Sequence, residues 1–498
     1  MTGLHHVTAI TRDVQANVDF WMGFLGLSLV KQTAGFEDAE QLHLFYGDAT
    51  GTPGSLVSFL VWQDGAPGRV GHGQVAEIAL AIPRVRIGDW LTRAMQHGLR
   101  IEGPLREFGA PVLRLRDPDG IIVKLVGGDI PDAGWPAAPA RLHGVTLWSD
   151  DAGATAAFLA PFGYLPQGVE GGVTRLASDR DVLDIRDASG FVPGIPGTGV
   201  IDHVALRVPD VAAIRAHQAR LADVTVHDRL YFTSLYVRDP AGLLIELATD
   251  GPGMAVDEAE LGRTLMVPPH FTDMTDLRLR LPQFARPGEE RRPMRDLPFT
   301  HRIHTPEDPD GSTLILLHGT GGSETDLMPL AHRIAPRATL LGLRGRSTEE
   351  GVARFFRRLS MTTFDQADIP AEAAAFAGFW QEAVAAYDLD PARITVLGYS
   401  NGANFAGAVM ALHPGLIARA ILMRPMLALD QVPQADLTGL RVLTLEGARD
   451  PYGVHAPALN DWLAASGADL DARRLPAGHE LSPDDLAAAT AWLGRGRD

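Results

Sequence analysis

One short strand motif occurs four times in the first half of this chain, and that repetition limits the fold more than any other feature. The copies are Leu4-His5-His6-Val7-Thr8-Ala9, Val75-Ala76-Glu77-Ile78-Ala79-Leu80, Leu142-His143-Gly144-Val145-Thr146-Leu147 and Ile201-Asp202-His203-Val204-Ala205-Leu206. Two copies have a matching later strand. Arg116-Asp117-Pro118-Asp119-Gly120 leads into Ile121-Ile122-Val123-Lys124-Leu125, and Arg238-Asp239-Pro240-Ala241-Gly242 leads into Leu243-Leu244-Ile245-Glu246-Leu247. After the first copy, Val14 to Trp21 reads as a helix, and the runs from Gln41 to Tyr46 and Ser55 to Leu60 read as strands separated by Gly- and Asp-rich turns. The pattern predicts four βαβββ units of roughly 60 residues each.

A repeat makes positions comparable within one sequence. Side chains alternate faces along a strand, so aligning the copies on the residue before Val or Ile puts His6, Glu77, Gly144 and His203 in one slot. Aligning the Asp-Pro-x-Gly turns sets Lys124 opposite Glu246. If unit one joins unit four, the set is His6, His203 and Glu246; if unit three joins unit two, it is Gly144, Glu77 and Lys124. Two imidazoles and a carboxylate form the facial set expected for non-haem Fe(II), with positions left open. Glu246 in so apolar a strand would be costly without a cation. In the second set a lysine ammonium stands where a metal would, and pairing it with Glu77 keeps a buried carboxylate neutralised.

Residues 4 to about 280 resemble the vicinal-oxygen-chelate superfamily, and within it the ring-cleaving dioxygenases of hydroquinones. The resemblance rests on Leu4 to Thr8, Leu29-Val30-Lys31-Gln32-Thr33, Tyr46-Gly47-Asp48, Asp228 to Tyr236 and Ile245 to Asp250. It implies Fe(II), with Mn(II) the second choice, bound by His6, His203 and Glu246, and an aromatic substrate and O₂ as reactants. It also implies supporting roles for His5, Thr8, Arg229 and Tyr236, with Arg229 facing an anionic oxygen and Tyr236 hydrogen-bonding substrate or an oxygen intermediate. Relatives tend to have His-His at the fourth copy, where this chain has Asp202-His203, a departure that bears on tuning and substrate preference. Two alternatives are a glyoxalase-like lyase or isomerase with Ni or Zn on the same fold, and a metal-free aromatic-binding domain.

Chain order groups the first two units over residues 1–130 and the last two over 140–255, as one domain with a Pro/Ala-rich linker between. Over residues 251–300 Pro252, Pro268, Pro269, Pro282, Pro287, Pro293 and Pro298 break any long helix, so 256–305 reads as an extended Pro-rich connector. From 306 to 498 the texture is that of an α/β domain. Apolar runs at 313–317, 338–343, 394–397, 420–423 and 442–445 read as parallel strands buried on both faces, with an alanine-rich helix from Glu372 to Ala386.

Gly398-Tyr399-Ser400-Asn401-Gly402 follows one of these strands and opens a helical run, the context of a nucleophile elbow. Asp450 follows a later strand and His479 lies near the end, giving the order Ser, Asp, His. Ser400 is the expected nucleophile, His479 its base and Asp450 the orienting carboxylate. Backbone N–H groups of Asn401 and of Thr320 or Gly321, in Leu317-His318-Gly319-Thr320-Gly321-Gly322, are expected to hold the oxyanion. His318 reads as structural. Residues 311–495 resemble the carboxylesterase/phospholipase-like hydrolases, which implies an ester or acyl substrate. Arg354-Phe355-Phe356-Arg357-Arg358 is similar to a stretch of hydrolases found alongside hydroquinone dioxygenases.

Composition bounds the partners. A net charge of −17 over 498 residues argues against nucleic acid or an anionic membrane. With no cysteine, any metal must be held by His, Asp or Glu. Neither a secretory leader nor a run of about 18 apolar residues is evident, so the expected location is cytoplasmic. Homo-oligomerisation is compatible with the sequence.

Overall fold

Each repeated motif is the first strand of a four-stranded unit and lies at that unit's open edge. In the first unit the spatial order is Leu4–Thr11, Leu56–Val61, Leu42–Gly47, Ser28–Ala34. The computed structural model describes residues 2–35, 39–221, 224–256, 258–271, 274–291 and 295–495. The chain divides into two compact bodies, Met1–Met274 with Leu281–Arg291, and Thr275–Arg280 with Arg292–Asp498.

The first body contains two sheets. One has nine strands, in which Leu4–Thr11 of unit one pairs antiparallel with Ile201–Val208 of unit four. The other has eight, in which Gln74–Pro83 of unit two pairs antiparallel with Arg141–Ser149 of unit three. The sheets therefore join one to four and two to three, which corrects the grouping of units one and two over 1–130 and of three and four over 140–255. An open edge presents unpaired N–H and C=O groups that any of the other first strands can satisfy. Chain order alone does not choose among them. In unit one the helix Val14–Val18 continues as a wider turn over Asp19–Phe24, which lays Trp21 and Phe24 on the sheet. Tyr46 donates its hydroxyl hydrogen to Asn17 Oδ1 at 2.8 Å beneath them.

The stretch expected to be an extended connector carries structure. Leu265–Met266 adds a short parallel strand beside Ser28–Ala34. The helix Met274–Arg280 belongs to the second body, where Leu279 packs in one cluster with Leu314 and Leu316. Leu277 and Leu279 are both buried, and that burial is what orders a segment set between prolines. Pro293 lies outside the described residues.

The second body has seven strands in the order His301–His304, Thr339–Leu343, Thr313–Leu317, Ile394–Tyr399, Arg419–Met423, Arg441–Gly447, Asp469–Leu475. All its pairings are parallel except that of the first two strands, so the domain's sheet starts before residue 306. The helices Asp368–Tyr387 and Asn401–Leu412 contribute Phe376, Phe379 and Phe405 to the core on one face. Met328–Ile334 and Pro483–Gly494 cover the other. This is an α/β-hydrolase arrangement following a vicinal-oxygen-chelate fold. Among the described residues no helix is long and apolar enough to cross a membrane.

Candidate functional site

Register across the nine-stranded sheet assembles the first site. His6 pairs with Ala205, Ala205 with Glu246, and Glu246 with Tyr236, so these residues form one row across four strands. Two residues along, Thr8 pairs with His203 on one side and Ser58 on the other, and Ser58 pairs with Phe45. With period-two alternation both rows point to the same face. His6 Nε2 lies 3.0 Å and His203 Nε2 3.2 Å from Glu246 Oε2. Among the described residues these three form the one cluster of potential ligands, with their donor atoms all within 4.8 Å of one another.

All three side chains are buried. Yet His203 Nε2 and both Glu246 oxygens lack a hydrogen-bond partner of acceptable geometry. Donors and acceptors that converge without bonding each other fit a divalent cation between them. The surrounding charge agrees. Burial opposes ionisation of Glu246, but His6 and His203 outweigh it and hold the carboxylate well below its usual range. Burial likewise opposes a charge on His203, but the carboxylates of Asp202 and Glu246 outweigh it and lift the imidazole to about 9. Asp202 Oδ2 accepts from His203 Nδ1 at 2.7 Å, the carboxylate–histidine pairing that orients a ligand imidazole.

His5 stands behind His6, with the two Nδ1 atoms 2.9 Å apart and His5 Nε2 at 3.1 Å from the Thr249 carbonyl. A shift of register between Leu4 and His6 brings the two adjacent rings together. Burial and the neighbouring His6 push His5 down to about 3, so it remains a neutral support. Burial also lowers His6. Tyr236 meets His203 edge-on at 5.4 Å, and the Arg229 guanidinium lies 5.8 Å from the Tyr236 ring centre. Burial, reinforced by Glu246, pushes the Tyr236 hydroxyl well above its usual range.

Register also reveals residues that the sequence comparison missed. Ser58 occupies the slot in unit one that Glu246 holds in unit four, so unit one offers no second carboxylate there. Its hydroxyl contacts Thr8 Oγ1 at 2.9 Å and His43 Nε2 at 3.0 Å. Phe45 and Phe232 approach His6 at 6.3 and 5.4 Å and form apolar walls. The alternation in Leu42-His43-Leu44-Phe45 was the available signal, since it puts His43 and Phe45 on one face.

The eight-stranded sheet holds the silent counterpart. Lys124 Nζ lies 2.6 Å from Glu77 and 2.8 Å from Glu107, and Thr146 donates to Glu77 at 2.8 Å. Burial opposes ionisation of Glu77, but Lys124 outweighs it and lowers the carboxyl. Asp184 takes the slot equivalent to Glu246 in unit three and is paired by Arg175 at 2.7 Å. At Gly144 a Cβ would lie 2.3 Å from the Val182 carbonyl oxygen, so no side chain fits there. Lys124 and Arg114 together neutralise Glu77 and Glu107, and Arg175 neutralises Asp184, so no metal is needed. Lys124→Ala should lower stability by about 2–3 kcal/mol, because Glu77 loses its nearest cation and keeps only Arg114 at 3.2 Å and the Thr146 hydroxyl. Urea unfolding followed in the first body measures this, and a loss below about 1 kcal/mol would contradict the buried pairing.

The second site lies in the other body. Ser400 sits between the strand Ile394–Tyr399 and the helix Asn401–Leu412 at φ 50°, ψ −112°, a strained conformation for a residue with a Cβ. Two glycines permit the turn. A Cβ on Gly402 would lie 2.1 Å from the Leu317 carbonyl oxygen, and one on Gly398 would lie 2.8 Å from the backbone of Ala403. His479 Nε2 is 3.0 Å from Ser400 Oγ, and His479 Nδ1 is 2.9 Å from Asp450 Oδ2. Thr320 and Asn401 line the cavity beside Ser400. The Gly321 N–H instead donates to the Ala353 carbonyl at 2.8 Å, which removes Gly321 from the expected oxyanion donors. The chain bends back at Ala353 and takes that donor. His318 is buried, and its Nε2 accepts from the Gly345 N–H at 2.9 Å, a structural role.

Arg424 holds the loop that carries His479. It donates to the Gly478 carbonyl at 2.8 Å and the Glu480 carbonyl at 2.9 Å, on either side of the histidine. Asp485 neutralises it through contacts of 2.7 and 2.8 Å, with both side chains fully buried. Asp485→Ala should therefore cost the second body about 3–5 kcal/mol, measured by thermal unfolding.

Comparison with known proteins agrees with this geometry. Residues 3–125 match the Glyoxalase/Bleomycin resistance protein/Dioxygenase superfamily. MhqE of Bacillus subtilis (strain 168), named as a ring-cleaving dioxygenase, is 33% identical over 296 residues, 55% of this chain and 97% of that protein. The chain belongs to this dioxygenase family. A second member, the chlorohydroquinone/hydroquinone 1,2-dioxygenase of Sphingobium indicum, is 29% identical over 305 residues, 56% of this chain and 95% of that protein. The family resemblance stops short of the second body. There, MhqD of Bacillus subtilis (strain 168), named as a hydrolase, is 36% identical over 183 residues, 36% of this chain and 92% of that protein. This member of the dioxygenase family thus carries a hydrolase as a fused second domain.

Proposed function

We propose that the chain is a bifunctional enzyme, an Fe(II)-dependent ring-cleaving dioxygenase of hydroquinones joined to a serine hydrolase of esters or activated acyl compounds. The convergence of His6, His203 and Glu246 with unbonded buried atoms carries the first activity. The Sphingobium relative's name supports a hydroquinone as substrate. Fe(II) held by His6, His203 and Glu246 would supply the redox chemistry that lets O₂ react with a spin-paired ring. The ring bond beside a hydroxylated carbon breaks, and one oxygen atom of O₂ ends on each of the two carbons it joined.

The protein's own residues position and protect this reaction. Asp202 and His5 fix the orientation and protonation of the ligand imidazoles. Phe45 and Phe232 wall the site and exclude water. The Tyr236 hydroxyl, which keeps its proton, donates to a substrate or dioxygen-derived oxygen, and Arg229 stabilises negative charge there.

In the second body the Ser400–His479–Asp450 chain of contacts carries the reading. Ser400 Oγ attacks the acyl carbon while His479 takes its proton and Asp450 holds the imidazole. The N–H groups of Asn401 and Thr320 face the developing oxyanion. His479 returns the proton to the leaving group, and water then frees the acyl chain by the reverse sequence. The reactants are thus an aromatic, O₂ and an ester, and the strongly acidic chain suits small molecules in the cytoplasm rather than nucleic acid or membranes. Protein loaded anaerobically with Fe(II) should consume O₂ on hydroquinone, methylhydroquinone and chlorohydroquinone, and should hydrolyse p-nitrophenyl acetate without metal. Turnover of the aromatic without O₂ consumption would point instead to a lyase or isomerase.

A further inference from the structure

The cavity at Ser400 holds about 300 Å³ and is lined in part by Arg358, Met361, Phe364 and Met426. It is largely apolar with a few charges, and most of these charges are engaged. Arg424 is bound by Asp485 at 2.7 Å, Asp450 by His479 at 2.9 Å, and Glu446 accepts from Asn460 at 2.6 Å. Arg358 differs. The carboxylate paired with it, that of Glu350, lies 3.9 Å away and is 74% exposed, whereas Arg358 itself is only 23% exposed. So long a pair with so exposed an acid contributes little. The Arg358 backbone is held in an antiparallel bridge with Phe364, which also lines the cavity, so the guanidinium has a fixed base.

We infer that the hydrolase takes an acyl substrate bearing a carboxylate, and that Arg358 binds this carboxylate while Met361, Phe364 and Met426 cover the chain between it and the scissile carbonyl. This deepens the serine-hydrolase reading and rests on it. An arginine fork matches a carboxylate in geometry and charge, and the low-dielectric wall strengthens the pair.

The chemistry proposed for the first body yields molecules of this class. When a hydroquinone carries an alkoxy group next to the hydroxylated carbon, cleavage between the two carbons consumes one O₂. The hydroxylated carbon becomes a carboxylic acid and the alkoxylated carbon an ester, each gaining one oxygen atom. Hydrolysis with one water then breaks the acyl C–O bond and releases the alcohol and a second carboxylate. A hydrolase with a cation set apart from its nucleophile suits such a half-ester better than a neutral ester.

The test compares kcat/KM for the p-nitrophenyl hemiester of adipic acid with that for neutral p-nitrophenyl heptanoate, in wild type, Arg358→Gln and Arg358→Glu. Wild type should prefer the anionic ester by about tenfold or more. That ratio should fall about tenfold in Arg358→Gln. In Arg358→Glu it should invert, with the neutral ester preferred over the anionic one, a change that no merely structural role produces. An unchanged ratio in Arg358→Gln, with both esters still hydrolysed, overturns the inference while leaving the hydrolase reading intact. If wild type hydrolyses neither ester, or Ser400→Ala hydrolyses them equally fast, the hydrolase reading falls and the inference with it.

Discussion

Replacing His203 with alanine should abolish O₂ uptake on hydroquinones and leave ester hydrolysis within about twofold of wild type. His203 is one of the three proposed ligands, and its Nδ1 is held by Asp202. On the proposed ligand set, its loss leaves His6 and Glu246, too few donors to hold Fe(II) against water. Losing a supporting partner typically costs 10–100-fold in metal affinity, and losing a ligand should cost more than about 100-fold. Bound iron should therefore fall from about one to below about 0.1 per chain when measured after desalting. Glu246→Gln should act in the same direction, because it removes the charge that makes this buried spot favour a cation. Asp202→Asn should be milder, keeping metal but weakening it by about tenfold. Iron retained at wild-type level in His203→Ala, with O₂ uptake intact, would exclude these residues as the metal site. Ester hydrolysis in the same preparation is an internal control for protein concentration and for the second body, since Ser400 belongs to a separate body, and the unfolding transition of the first body controls for its own folding.

Replacing Ser400 with alanine should produce the opposite pattern. Hydrolysis of p-nitrophenyl acetate should fall by at least about 10³-fold, because the nucleophile and its base act as one unit. O₂ uptake on hydroquinones should stay within about twofold. The substitution removes only a hydroxyl at 3.0 Å from His479, and alanine can occupy the same turn as readily as serine. Stability should thus hardly change, and the loss reports chemistry. His479→Ala should match it in size if the two groups act together. A Ser400→Ala protein that retains most of its esterase activity would move the nucleophile elsewhere.

The chemistry of the first site was legible because the repeat supplied its own comparison. His6, Glu77, Gly144 and His203 could be placed in one slot without any second sequence, and Lys124 opposite Glu246 separated a live set from a silent one. The structure brings His6, His203 and Glu246 together and sets Lys124 against Glu77. The hydrolase was legible for another reason. Small residues flanking Ser400 and the order Ser, Asp, His are local or ordinal features, and the structure joins these residues through two contacts of 2.9 and 3.0 Å.

What the sequence hid depended on register and on which backbone donors were already used. Ser58, Asp184, Phe45 and His43 reach their sites through cross-strand pairing, and no one-dimensional spacing reports a partner strand. Gly321 was excluded by a hydrogen bond to Ala353, 32 positions away by residue number. Arg424 was invisible because its role is to hold two carbonyls on a loop more than fifty residues later.

By itself, then, the sequence determined the repeated units, their facing residues, the candidate histidines and carboxylate and the elbow at Ser400, because strand alternation and a tight elbow are imposed by local sterics. The tertiary structure decided that unit one meets unit four and unit two meets unit three. Each first strand leaves an equivalent open edge, and only the assembled sheets fix which edges satisfy each other. That choice puts His6 beside His203 rather than beside Glu77, and so decides where a cation can bind.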